Sequence, residues 1–145
     1  ILAKYARFTA ARLATRDLCN AKIIHGDAGH LFRTWLPDAS ARAVHVYFPD
    51  PWWKARHKKR RVMSADFVRN VERVLELGGK LHSWTDVEEY FQTSLEVIAQ
   101  QSGLAGPNAV AESPASHDLD YQTHFERRVR LHREEVHRAE FEKPA

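Results

Sequence analysis

At 145 residues the chain has room for one domain with a single core of ordinary size, spanning 1–145, and excludes a second full domain. With 43% hydrophobic and 28% charged residues, six Gly and six Pro, its composition is neither disordered nor fibrous, and no apolar run approaches the ~20 residues of a membrane helix. The charged opening from Ile1 to Leu18 and a lone Cys19, which has no internal disulfide partner, point to a cytoplasmic protein.

From Lys4 to Leu18, Tyr5, Phe8, Ala11 and Leu13 recur at roughly helical spacing, which predicts a helix ending near Asn20. Ala21 to His25, with the β-branched pair Ile23 and Ile24, predicts a strand that stops at the Gly26-Asp27 turn. Asp27 is placed to cap a short helix from Ala28 to Leu36, closed by Pro37. Ala43 to Phe48 predicts a second strand running into a Pro-Asp-Pro turn. Ser64 caps a helix whose apolar face is Phe67, Val68, Val71, Val74 and Leu75, with Gly78-Gly79 as its terminator. Lys80 to Trp84 is a third strand, followed by Thr85-Asp86 and a helix through Tyr90, Phe91, Leu95 and Ile98 to about Gln101. Gly103 to Leu119 reads as a loop, and Glu135 to Phe141 alternates as an edge strand does.

Strands alternating with helices predict an α/β fold with a mostly parallel sheet and helices on both faces. Ligands in such sheets bind at the C-terminal strand ends. All three strands end in acid-bearing turns, so Asp27, Asp50 and Asp86 are expected to converge on one crevice, although each acid also suits a helix cap.

The net charge of +3 conceals one basic segment. Lys54 to Arg61, reading KARHKKRR, holds six Lys or Arg and no acid, and without them the rest of the chain carries 16 basic against 19 acidic residues. It follows Phe48-Pro-Asp-Pro-Trp-Trp53 directly, so cations that neutralise phosphate adjoin indoles that can stack on an unpaired base. This mixture suits a structured RNA better than a membrane, because no amphipathic helix accompanies it. Nine histidines include no His-Glu-x-x-His or comparable spacing, so no metal is expected.

The run FPDPWWKARHKKRR, with the downstream TD-x-x-x-Y and T-x-FE, resembles the tRNA (guanine-N7-)-methyltransferase family, and the similarity extends from His25-Gly-Asp-Ala28 to Thr123-His-Phe-Glu126. The resemblance implies a Rossmann-like class I methyltransferase fold, S-adenosylmethionine as cofactor and a guanosine in the tRNA variable loop as substrate. It implies that Asp27 and Ala28 contact the cofactor's adenosine end and that Asp50 is the central active-site acid. Lys54, Asp86, Thr123, His124, Phe125 and Glu126 would face the substrate, and Arg56, Lys58, Lys59, Arg60 and Arg61 the RNA backbone. His124 stands where the family carries Lys or Arg. The family's glycine-rich turn and the acid after its second strand are not present, so the chain is expected to begin, at Ile1, beyond the first two strands.

Guanine N7 has a lone pair and no proton, so methyl transfer to it requires placement rather than a base. A carboxylate such as Asp50 can accept from N1–H and the exocyclic amine while offsetting the charge that builds on the alkylated purine. Trp52 and Trp53 are candidates to stack on the guanine, and core packing accounts for at least one of them equally well. Two other readings share these residues: a non-catalytic RNA-binding module of methyltransferase type, and a methyltransferase acting on an exocyclic amine. Which tRNAs are used and whether the protein is a monomer or a homodimer are left open by the sequence.

Overall fold

In the computed structural model, which describes residues 3–110 and 135–145, the chain opens with helix α1 (Ala3–Thr15). The helix is closed by Asp17 in a left-handed conformation (φ 52°) and by Leu18 N–H donating to the Leu13 carbonyl at 3.0 Å. None of its residues is buried. The strand expected from Ala21 to His25 is irregular chain instead. Ile23 and Ile24 are 44% and 50% exposed, and no described strand lies beside them to complete a ladder.

Helix α2 (Ala28–Thr34) begins under Asp27, whose Oδ1 accepts from Gly29 N–H at 2.8 Å and His30 N–H at 3.3 Å. Strand β1 (Ala41–Tyr47) follows, then a 3-10 helix over Ala55–Arg60. Helix α3 (Ala65–Val74) starts as expected at Ser64, whose hydroxyl accepts from Phe67 N–H at 3.3 Å. It stops at Val74, before the glycines, because its last carbonyls find partners outside the helix. Ala39 N–H and Ser40 N–H donate to Arg73 and Val74, and Lys143 Nζ reaches the Glu72 and Leu75 carbonyls at 2.8 Å each.

Leu75 therefore belongs to strand β2 (Leu75–Thr85), and Gly78-Gly79 shapes an irregularity in it rather than ending a helix. Gly78 has φ 74°, and a Cβ on Gly79 would lie 2.8 Å from the Glu76 carbonyl oxygen. Helix α4 (Glu88–Gln101) agrees with its expected span. Within the segment read as a loop, Ala105–Ala109 forms strand β3, which pairs antiparallel with β4 (His137–Glu142). Pro107 lacks an N–H and suits this outermost strand, and the Phe141 ring packs where a side chain on Gly106 would stand. Strand β4 is accordingly not an edge. It lies inside the sheet order β1-β2-β4-β3, antiparallel to both neighbours, while β1, β2 and β3 share one direction.

Period-two alternation divides the sheet into two kinds of face. Val44 pairs with Leu81, which pairs with Phe141, and Val46 with Ser83 and Ala139. Helices α3 and α4 pack on this side, with α2 alongside α3, through Phe67, Val68, Val71, Val74, Tyr90 and Ile98. Burying each large apolar side chain contributes roughly 1.5–3 kcal/mol. The opposite side carries His45, His82 and Glu140 in one row and Tyr47, Trp84 and Arg138 in the next. The core thus fixes β1 and β2 side by side, and their parallel C-terminal ends place Phe48 beside Trp84, where Phe48 N–H donates to the Trp84 carbonyl at 2.8 Å.

Candidate active site at the end of the first strand

The turn after β1 is shaped by two residues in left-handed conformation, Phe48 (φ 47°) and Trp52 (φ 46°). Each such non-glycine residue costs about 1–3 kcal/mol and persists only where its surroundings enforce it. Between them, Asp50 Oδ1 accepts from Trp52 N–H at 3.0 Å, closing a side-chain turn that the two prolines prepare. Its second oxygen makes no hydrogen bond with a described residue, and Asp50 is exposed.

Arg61 anchors the turn from behind. Its Nε donates to the Pro51 carbonyl at 2.8 Å, its guanidinium meets both Glu89 oxygens, the nearer at 3.0 Å, and it lies 4.8 Å from the centre of the Tyr90 ring. The Arg61 side chain is only 6% exposed, so it is not the RNA-backbone contact expected from the sequence. A buried guanidinium needs its donors satisfied within the protein, and these are. Lys58 is also engaged, 2.9 Å from Glu89 Oε1. Hydrogen bonds from Arg61 first, and then from Lys58, hold the Glu89 carboxyl down at about 2. Burial raises the Tyr90 hydroxyl, which accepts from Met63 N–H at 3.2 Å.

A cavity of about 970 Å³ lies between this turn and the start of α2. Asp27 and Ala28 line one side and Asp50, Trp52, Lys59, Arg60 and Arg61 the other, with Val46 of β1 and Phe48 just beyond it between them. Two of the three acids therefore meet in one site. Asp86 sits at the neighbouring strand end but does not line this cavity. Helix α4 has Val87 as its N-cap, with no side-chain cap, and Val87 N–H donates to Thr85 Oγ1 at 3.2 Å. Lys54, Arg56 and Lys58 also lie outside the lining, whereas Lys59 and Arg60 enter it. Thr123 to Glu126 lie outside the described residues.

Glu89 is the organising residue that the sequence concealed. It lies 28 positions from Arg61, and no local spacing joins them. Arg61 did carry a signal, because it borders the apolar pair Val62-Met63, of which Met63 is buried. Among the described residues no helix is long and apolar enough to cross a membrane, and no group of three His, Cys, Asp or Glu side chains forms a metal site.

Residues 3–139 match a family described as "Putative methyltransferase". A tRNA (guanine-N(7)-)-methyltransferase of Rhodopirellula baltica is 51% identical over 138 residues, covering 90% of this chain and 50% of that protein. The enzyme of the same name from Aromatoleum aromaticum is 42% identical over 117 residues, covering 80% of this chain and 44% of that protein. The chain spans about half the length of the curated relatives it matches. Among solved structures, a Thermus thermophilus protein described as a "Putative DNA Modification Methylase" superposes with a TM-score of 0.51 at 19% identity, over 83% of this chain and 51% of that one. That similarity supports the α/β methyltransferase fold.

Proposed function

The chain belongs to the tRNA (guanine-N7-)-methyltransferase family, and from that premise we propose that it carries the substrate side of an enzyme that methylates N7 of a guanosine in the tRNA variable loop. The observation that carries this reading is the placement of Asp50, exposed and held by its own turn, in one cavity with Asp27 and the cations Lys59 and Arg60.

The adenosine end of S-adenosylmethionine fits the Asp27 side of the cavity. Asp27 Oδ1 is committed to Gly29 and His30, which leaves its second oxygen to accept from a ligand, while Ala28 and Ile24 offer apolar surface to a ring. The described residues contain no glycine-rich turn for the methionine end, so only the adenosine end is assigned. When bound, the cofactor supplies an electrophilic methyl on a sulfonium.

The chain's own task is orientation. Asp50 accepts from guanine's Watson-Crick edge, offsets the positive charge that builds on the purine, and takes no proton from N7. A well-oriented reacting pair gains roughly 7–11 kcal/mol over a random encounter, which is the scale of what the rigid turn has to secure. Lys59 and Arg60, with Arg56 on the same 3-10 helix, hold the RNA backbone beside the cavity. Lys54 and Asp86 keep the substrate-side roles that the resemblance implies, and so do Thr123 to Glu126. The reading places the protein in the cytoplasm with its tRNA substrate.

The test is mass spectrometry of tRNA after incubation with the full-length protein and methyl-labelled cofactor. The label is expected as 7-methylguanosine, and Asp50→Asn should bind tRNA while losing on the order of 100-fold or more in turnover. Label on an exocyclic amine, or near-normal turnover by Asp50→Asn, would sink the assignment.

A further inference from the structure

Trp52 and Trp53 are neighbours in sequence, yet the turn delivers them to different surroundings. Trp52 is half-buried at φ 46°. The Arg60 guanidinium lies over its ring at 5.1 Å, and His57 meets it edge-on at 5.6 Å. One of its faces is thereby occupied. Trp53 leaves 67% of its surface in solvent, makes no ring or cation contact with a described residue, and stands outside the cavity that Asp50 and Trp52 line. An exposed indole directly beside a run of cations is the combination that binds unpaired nucleic acid, with aromatic faces for the bases and cations for the phosphates. Along the chain Trp53 is followed by Lys54 and then by Arg56, Lys58, Lys59 and Arg60, with no acid before Arg61.

We propose that Trp53 is a stacking platform for an unpaired nucleobase of the RNA, distinct from the base that enters the cavity. The inference rests on the RNA-methylating reading above and adds a second base-binding position to it. A nucleobase matches the observations because it presents a flat apolar face flanked by phosphates, which is the complement of one exposed indole among cations. Trp52 has one face under Arg60 and lines the cavity, so it is placed for the base that enters there and not for a second base outside it. The left-handed backbone at Trp52 accounts for the division of labour, since it turns one indole towards the 3-10 helix and leaves the next pointing away.

The experiment compares wild type, Trp53→Leu and Trp53→Phe in the full-length protein, measuring tRNA affinity over a series of salt concentrations together with methyl transfer. Trp53→Leu should bind about 5- to 150-fold more weakly, the range that removing one stacked base gives. Its salt dependence should be unchanged, because every phosphate interaction is retained. Trp53→Phe should recover most of the affinity while losing much of the indole fluorescence quenching on binding. Trp53→Leu binding as tightly as wild type would overturn the platform, and so would a weakening that comes with a shallower salt slope, because the defect would then be electrostatic. If wild type makes no 7-methylguanosine while Trp53→Leu still weakens RNA binding, the platform stands and the reaction assigned above falls. A wild-type protein that binds no tRNA overturns both.

Discussion

Arg61 Nε and the Pro51 carbonyl are joined by a 2.8 Å hydrogen bond that ties the end of the basic segment to the turn carrying Asp50. The same guanidinium holds Glu89 on α4, so one buried side chain links the turn after β1 to the helix after β2. Arg61→Ala should destabilise the fold by about 1–3 kcal/mol, the cost of leaving partners of a charge-assisted hydrogen bond unpaired. Arg61→Lys should recover only part of that stability, because one ammonium cannot span the carbonyl and both carboxylate oxygens. Denaturant titration measures the stability. If Arg61 positions Asp50, methyl transfer in Arg61→Lys should lose turnover more than tRNA affinity.

Glu89 makes the linkage sensitive to acid. Its carboxyl titrates near 2 when folded against 4.5 ordinarily, so as pH falls the unfolded chain takes up the proton first. The stabilisation is complete above 4.5 and drains away as pH approaches 2. Glu89→Gln should therefore be less stable than wild type at neutral pH and should converge with it in strong acid. Denaturation midpoints followed from about pH 6 to about pH 3 check this, and a constant gap between the two proteins would refute it.

Local chemistry explains which parts of this molecule were readable in advance. Ser64 and Asp27 act within three residues of themselves, and α3 follows from the spacing of Phe67, Val68 and Val71; these features stand as expected. The Asp50 turn was legible for the same reason, since two prolines and an Asx side chain dictate it. Features decided by distant partners were not legible. Lys143 helps to end α3 before the glycines, β3 turns β4 from an edge into an interior strand, and Ile23-Ile24 fails to form a strand for want of a neighbour. The basic segment shows both behaviours. Its position beside the site was visible, but its division into buried Arg61, paired Lys58 and cavity-lining Lys59 and Arg60 depends on α4 and α2.

That division predicts unequal salt effects. Lys59→Ala and Arg60→Ala together should weaken tRNA binding and reduce the slope of log affinity against log salt by roughly 0.7 for each single-strand phosphate interaction removed. Lys58→Ala should have a smaller effect on the slope, because its ammonium is already committed to Glu89 at 2.9 Å. Its effect on stability should be below about 1 kcal/mol, as for a half-exposed ion pair. Binding isotherms at several salt concentrations measure both slopes. Equal changes for Lys58→Ala and the Lys59, Arg60 double variant would contradict the assignment.

On the polar side of the sheet, His82 stacks on His45 with ring centres 4.5 Å apart and planes 8° from parallel. Glu140 Oε2 stands 3.6 Å from His82 Nδ1, and Lys80 pairs with Glu140 at 2.7 Å, while His45 Nδ1 lies 2.7 Å from the Tyr47 hydroxyl. Burial, and then the neighbouring His45, lower the His82 pKa, and they outweigh Glu140, which raises it. The folded protein therefore binds this proton less readily than the unfolded chain. Its neutral-ring stacking is fully available above 6.5, the ordinary histidine value, and stability declines as pH falls below it. His82→Phe keeps a ring on His45 and removes the titration. Its stability should fall less steeply than wild type between about pH 7 and about pH 5, measured by thermal or denaturant unfolding. Parallel pH profiles for the two proteins would show that the stack does not titrate as described.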